Sequence, residues 1–233
     1  MLGAPTKLTI RTNFPRPTPE QVAAFRDIPT GFICDALGGR GGLDTVITPV
    51  GGGGHLPEHA YGIALVADDG PEENLATLGA MHVVQPGDMV IASVRGCQTC
   101  AAAGDLFMAK LKIKGAAGFV TDGPMRDYAG IIQAGLPAWC NGLNPNSPYE
   151  NGPGRVGFGA VVAGEYINSG DIVVADTDGV VVIPFDRIDE VIAQLPRIRE
   201  LEDAEEQRVR DGIVNTSKIA TMLEDGSAVL VDD

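Results

Sequence analysis

In "GFVTDGPMRDYAG", residues 118 to 130, an apolar run ends in an Asp-Gly turn and then sets Arg126 beside Asp127. A guanidinium offers a planar, two-pronged contact to a carboxylate or keto oxygen, and a carboxylate is a hard ligand for Mg²⁺ or Mn²⁺. Upstream, "GDLFMAKLKIKG" places Gly104 and Asp105 where a loop enters a helix, so N–H groups near Leu106 and Phe107 face an incoming anion. Together the two stretches could seat the carboxylate of a 2-oxo acid such as pyruvate on amides. They could also set Arg126 against the enolate oxygen that forms as a carbon–carbon bond breaks, and hold a divalent Lewis acid. A competing reading gives the same residues plainer duties: Asp122 and Gly123 make a turn, Arg126 pairs with a nearby acid, and Asp105 caps its helix.

For that chemistry the chain must bring both stretches to one sheet edge. "YGIALVADD" reads as a strand, "EENLATLGAMHVV" as a helix and "GDMVIASV" as a buried strand. A helix then runs through "GDLFMAKLKIKG", with Leu106, Ala109, Leu111 and Ile113 among its apolar positions and Gly115 as its stop, and "AAGFVTD" is the next strand. This alternation predicts parallel pairing, with ligands at the carboxyl edge. Nearer the start, Thr18 caps a helix that has Pro19 at its first position and Gln21 completing a capping box. A second helix runs through "TGFICDALGG" from a capping Thr30 to the glycines.

Later, "RVGFGAVVAG" and "GDIVVADTDGVVVIP" each read as a hairpin, which makes the sheet mixed. From Asp186 onward Ile188, Val191, Ile192, Leu195 and Ile198 share one helical face, with Pro196 expected to kink or restart the helix before "RELEDAEEQRVR". The prediction is a single α/β domain over residues 1–233, with an N-terminal helical segment at about 18–38 and a C-terminal helical tail at about 186–226.

Composition narrows the function classes. The chain has 233 residues, 44% of them hydrophobic, so it can bury a sizeable core. A formal net charge of −14, with only 17 Lys and Arg, argues against nucleic-acid binding and against acidic membranes. No run approaches the ~20 apolar residues of a membrane span, and the start lacks the apolar core of a signal peptide. The expectation is a soluble, cytoplasmic protein.

Other candidate chemistries find little support. Four cysteines, Cys34, Cys97, Cys100 and Cys140, are too few for a disulfide framework and are expected to be reduced. Cys97 and Cys100 form a CxxC pair, but the thioredoxin-like order of elements is missing and nothing in the spacing of Cys34 and Cys140 completes a zinc site, so small buried thiols are the simpler account. His55, His59 and His82 read as loop or surface residues, since Pro57 interrupts "HLPEH". "GGRGG" and "GGGG" lack the Lys-Ser or Lys-Thr of a phosphate loop, and Asp176 and Asp178 in "DTDG" read as a hairpin turn rather than a calcium loop. No GxSxG elbow or GxGxxG helix start occurs.

The stretch "GDLFMAKLKIKGAAGFVTDGPMRD" resembles the family that holds the regulator of ribonuclease activity A and the class II 4-hydroxy-4-methyl-2-oxoglutarate/4-carboxy-4-hydroxy-2-oxoadipate aldolases. The signature reads Gly104, Asp105, Leu106, then Gly118, Asp122, Gly123, Arg126 and Asp127, and "GFICDALGG" and "GDIVVADTDGVVVIP" extend the resemblance over most of residues 30 to 200. It implies a swivelling-domain-like α/β/β/α sandwich with mixed sheets and a C-terminal helical extension, assembled as a homotrimer or dimer of trimers. It further implies Mg²⁺ or Mn²⁺ held by Asp127, with water ligands held by Asp105 and by a Glu from a neighbouring subunit, Glu202 or else Glu200. Arg126 would contact pyruvate, whose carboxylate would meet the amides of Leu106 and Phe107. The implied activity is cleavage of a 4-hydroxy-2-oxo acid to pyruvate, with oxaloacetate decarboxylation at the same site. The alternative is a protein-binding regulator. Cys97 and Cys100, and Pro124, Met125 and Tyr128 around the Arg-Asp pair, depart from the usual pattern and bear on the substrate.

Overall fold

Alternate residues of the central strands feed two separate cores. Leu65, Ala67, Val90, Ala92 and Phe119 belong to one cluster; Ala64, Val66, Met89, Ile91 and Val120 belong to the other. A strand buried on both faces has no polar side to show, which is why these runs read as continuous apolar stretches.

The computed structural model describes residues 5–231. In chain order its elements are β1 (Leu8–Ile10), α1 (Pro19–Ala23), α2 (Thr30–Ala36), β2 (Thr48–Pro49), β3 (Ala60–Asp68), α3 (Leu75–Ala80), β4 (Asp88–Ser93), α4 (Asp105–Ile113), β5 (Gly118–Thr121), α5 (Tyr128–Ala134), β6 (Ala138–Cys140), β7 (Gly154–Val156), β8 (Gly159–Val162), β9 (Glu165–Asn168), β10 (Ile172–Ala175), β11 (Val180–Ile183), α6 (Ile188–Arg210) and α7 (Ser217–Glu224). Residues up to Leu195 form one compact unit and those from Pro196 a second.

Within the first unit, β3, β4, β5 and β6 pair in parallel, with Ile63 opposite Asp88, Met89 opposite Gly118 and Phe119 opposite Ala138. Helices α3, α4 and α5 are the crossovers, as parallel pairing requires. The other edge of β3 is shared: β10 pairs antiparallel with its first residues and β7 with its last two. With β1 beside β7, β2 beside β6 and β11 beside β10, the sheet is nine-stranded and mixed; β8 and β9 form a separate pair. One face carries Ala76 and Ala80 of α3, Phe107, Met108 and Leu111 of α4, and Ile131 of α5. The other is covered by Ala160, Val162 and Ile167 of the β8–β9 pair and by β10 and β11. Burying side chains such as Leu111 and Ile131 completely contributes about 1.5–3 kcal/mol each.

Several expectations hold and others change. Thr18 and Gln21 form the capping box of α1. "DTDG" is the turn joining antiparallel β10 and β11. Thr30, however, opens α2 rather than capping it: its N–H and hydroxyl both donate to the Asp176 carboxylate, each at 2.8 Å, so the cap comes from the β10–β11 turn. "RVGFGAVVAG" is not one hairpin. The Gly157 N–H donates to the Val66 carbonyl, which ties the end of β7 to β3, and β8 instead turns back at Ala163 and Gly164 to pair with β9. Gly115, at φ 81°, ends α4 as expected. The buried positions of α4 are Phe107, Met108 and Leu111, whereas Leu106 and Ile113 are exposed. Helix α6 is continuous through Pro196, so the expected restart is absent.

In the second unit, α6 continues to Arg210, laced by Glu205–Arg208 (3.0 Å) and Glu206–Arg210 (2.7 Å) ion pairs, and α7 follows. No helix among the described residues is long and apolar enough to cross a membrane.

Candidate active site

The turn after β5 is held at both ends by backbone. Asp122, almost fully buried, accepts N–H bonds from Val94 (2.7 Å) and Gly96 (3.0 Å), which fixes the end of β5 to the end of β4; burial raises its carboxyl above the usual range. Ala102 N–H donates to the Pro124 carbonyl, Met125 N–H to Gly142, and Arg126 N–H to Ala103. These bonds lay residues 124–126 alongside 102–103, the segment that leads into α4. Arg126 and Asp127 therefore arrive next to Gly104, at the carboxyl edge where open α/β sheets place ligands.

Asp127 precedes α5 in the left-handed region, at φ 63° and ψ 45°, and its side chain makes no capping bond. A non-glycine residue held there is under backbone strain, of the kind concentrated at functional sites. Its Oδ2 lies 3.4 Å from Arg126 Nε, and Arg126 Nη1 donates to Ser147 Oγ at 2.7 Å. Both members of the pair are more than a third exposed, so the contact contributes only about 0–1 kcal/mol to stability. It orients groups rather than holding the fold together.

The start of α4 faces this pair so closely that a side chain on its cap residue would press on the Asp127 carboxylate. A Cβ on Gly104 would sit 2.5 Å from Asp127 Oδ2 and 3.3 Å from Arg126 Cγ, and one on Gly130 of α5 would collide with the Asp105 carboxylate. Each carboxylate thus packs against the opposite helix. Gly104 has no side chain with which to cap α4. The Leu106 amide is taken by Asp105 Oδ1 at 2.7 Å, which corrects the expectation that it stands open and gives Asp105 part of the capping duty of the plainer reading. The Phe107 amide finds no protein acceptor among the described residues. Its ring is buried edge-on against Phe119, with centroids 5.8 Å apart, so the free N–H is rigidly placed.

Arg126, Asp127, Asp105 and Phe107 share a crevice of about 210 Å³. That is below the ~300 Å³ at which pockets for drug-sized ligands begin and suits a small acid. Arg126 and Asp127 also border a second hollow of about 270 Å³ with Leu143, Asn144 and Pro145, so the pair forms a ridge between the two. Three polar lining residues escape sequence reasoning: Lys110, Asn74 and Glu150. Lys110 stands one helical turn beyond Leu106, a spacing that could have revealed it. Asn74 falls inside "EENLATLGAMHVV", the stretch read as helix, although α3 spans only Leu75–Ala80, while Glu150 lies in a loop with no periodic signal. Glu202 and Glu200, by contrast, are exposed on α6 in the second unit, Glu200 beside Arg197 at 3.6 Å.

The donor set also decides which metal would suit. No group of three His, Cys, Asp or Glu side chains placed to hold a metal ion occurs among the described residues. Three hard carboxylates, Asp127, Asp105 and Glu150, line the crevice. That fits Mg²⁺ or Mn²⁺, which bind through one or two carboxylates and keep most of their water, and does not fit a closed thiolate or imidazole site. No thiol lines the crevice: Cys100 and Cys140 are buried, Cys34 and Cys97 half-buried, and burial pushes the Cys140 thiol up to about 11.

Comparison with known proteins follows the same geography. The RraA-like family model, described as Aldolase/RraA, matches residues 30–182, which include every crevice residue named above. A Halalkalibacterium halodurans protein named "Putative 4-hydroxy-4-methyl-2-oxoglutarate aldolase" is 32% identical over 193 residues, covering 83% of this chain and 90% of its own. The crystal structure of Streptomyces coelicolor RraAS2, described as an unusual member of the RNase ES inhibitor RraA protein family, superposes with a TM-score of 0.74 at 27% identity, over 84% of this chain and all of that one. The RNA-processing inhibitor RraA from Thermus thermophilis shares the fold, with a TM-score of 0.61 at 21% identity over 68% of this chain and 93% of its own.

Proposed function

The chain belongs to the RraA-like, Aldolase/RraA family, and from that premise we propose that it is a carbon–carbon lyase cleaving a 4-hydroxy-2-oxo acid to pyruvate. One observation carries this reading. A guanidinium, a carboxylate with no capping duty and an unpaired helix amide line a single small crevice.

In the proposed reaction the substrate's 1-carboxylate sits on the Phe107 amide at the positive end of α4. Arg126 turns its guanidinium to the C2 oxygen. As the 4-hydroxyl gives up its proton and C4 becomes a carbonyl, the C3–C4 bond breaks and its electrons pass through C2 to that oxygen, where Arg126 balances the charge. Protonation at C3 then yields pyruvate. Asp105, beside the cleavage site, orients the water that carries the proton. A Mg²⁺ or Mn²⁺ ion held by Asp127 would supply Lewis acidity at the same oxygen. Oxaloacetate fits the same scheme, because loss of CO₂ leaves the same charge at C2. The active assembly in this reading is a homotrimer or dimer of trimers, with Glu202 of a neighbouring copy, or else Glu200, completing the site; sedimentation and a Glu202→Gln variant test that part.

Pyruvate release from oxaloacetate or 4-hydroxy-2-oxoglutarate, followed with a coupled dehydrogenase, should depend on added Mg²⁺ or Mn²⁺ and stop with EDTA. The regulator reading draws on the RNA-processing inhibitors that share the fold. An assay in which no 2-oxo acid is turned over under any metal condition overturns the lyase reading in its favour.

A further inference from the structure

Asn74 stands at the cap position of α3 yet caps nothing. The duty has passed to Asp69, whose buried carboxylate accepts the Ala76 N–H (2.6 Å), the Thr77 N–H (3.1 Å) and the Thr77 hydroxyl (2.6 Å). The Asn74 backbone is fully engaged, its N–H donating to the Tyr149 carbonyl and its carbonyl accepting from Leu78. Its side chain is not. Asn74 is 9% exposed, its Oδ1 is buried without a hydrogen-bond partner, and the residue lines the crevice that holds Arg126, Asp127 and Asp105. Buried polar atoms are nearly always paired, so an orphan on a residue that lines a ligand cavity marks a partner that a ligand can bring once the side chain turns to meet it.

The chemistry of that partner follows from the rest of the lining. Cations and an amide, Arg126, Lys110 and the Phe107 N–H, serve the anionic parts of a ligand. A carboxamide is neutral and offers both an acceptor and a donor, and the group that matches it is a hydroxyl. The geometry points to Asn74 as the specificity residue that accepts a hydrogen bond from the substrate's 4-hydroxyl and thereby separates 4-hydroxy-2-oxo acids from 2-oxo acids without that group. In the bound substrate the hydrogen bond to Asn74 Oδ1 holds the hydroxyl beside the C3–C4 bond that breaks. A carboxamide oxygen is too weak a base to take the proton, so the hydrogen swings from Oδ1 to the water that Asp105 orients, and that water takes it as the bond breaks. This assignment rests on the lyase reading above.

The test compares two substrates and one inhibitor in the full-length protein with Mg²⁺ or Mn²⁺. In Asn74→Ala, kcat/KM for cleavage of 4-hydroxy-2-oxoglutarate should fall at least about 30-fold, while decarboxylation of oxaloacetate, which has no hydroxyl, and inhibition by 2-oxoglutarate, which has the same carbon chain without it, should each move less than about threefold. Asn74→Ser, which restores a short polar group, should recover part of the loss. The Tm of Asn74→Ala should be unchanged or raised, because the orphan is costly in the empty crevice. A lowered Tm with equal loss on both substrates would make Asn74 a structural residue and overturn the assignment, as would undiminished cleavage of the hydroxylated substrate. An inert wild type overturns the lyase reading and this inference with it, whereas an active wild type lacking the substrate split overturns this inference alone.

Discussion

Two helix starts border the same crevice and are finished in opposite ways. At α3 a buried carboxylate from β3's end, Asp69, gathers the Ala76 and Thr77 amides and the Thr77 hydroxyl, so those three donors are spent inside the protein. At α4 the cap residue is Gly104, Asp105 reaches only the Leu106 amide, and Phe107 keeps a free N–H. Amides bonded to a buried carboxylate can only hold structure. An open amide such as that of Phe107 keeps its positive potential for something that arrives from outside. Around the crevice, the Arg126 and Asp127 ridge and the open Phe107 amide lie on the α4 side, while α3 offers only the neutral carboxamide of Asn74.

If that division is right, damage at the two ends should have different consequences. The largest effect is expected at the ridge: Arg126→Ala and Asp127→Ala should each lower kcat/KM for pyruvate release by about 10²–10³, or about 2.7–4 kcal/mol of barrier, as for loss of one preorganised electrostatic contact. Both variants should melt close to wild type, since an exposed pair contributes about 1 kcal/mol or less. Asp69→Ala should do the reverse. Leaving buried donors unpaired costs about 1–3 kcal/mol of unfolding free energy, read by urea denaturation, and KM should change little.

Asp69 also predicts a pH dependence. Burial raises its carboxyl from 3.8 to about 6 against the opposing pull of its three donors. The native chain therefore binds that proton more tightly than the unfolded chain, so the stability it contributes is full below about pH 4 and lost as pH rises through about 6. Relative to Asp69→Asn, the wild type should lose stability by at most about 1.4 kcal/mol per pH unit inside that window. A flat difference between the two would show that the donors keep Asp69 ionised. The smallest effect tests the close approach of α4 to Asp127. Gly104 has φ −133°, which alanine adopts freely, so Gly104→Ala should leave the melting temperature alone. Its Cβ would displace the Asp127 carboxylate and cost activity about tenfold, or about 1.4 kcal/mol.

Much of this was legible before any coordinates. The strands around β4 and β5 declare themselves because burial on both faces removes polar alternation, and the α1 capping box is a local bond pattern that distant packing does not disturb. Arg126, Asp127, Asp105 and Phe107 were named from residue type and spacing, and the fold brings them to one crevice. The failures share a cause. Thr30, expected to cap α2, is itself capped by Asp176, because a carboxylate from another element competes for the same amides. β7 leaves β8 for β3, a choice between partners of similar local propensity that long-range pairing decides.

Sequence alone thus determined the element types, the parallel centre of the sheet and the chemical identities at the site, because each depends on neighbours within a few positions of the chain. Tertiary structure decided which amides were already spent and which stayed open, since a hydrogen-bond donor serves whichever acceptor packing brings within reach. The same packing recruited Lys110, Asn74 and Glu150 to the crevice, from a helix face, a helix start and a loop that meet only when the sheet is assembled.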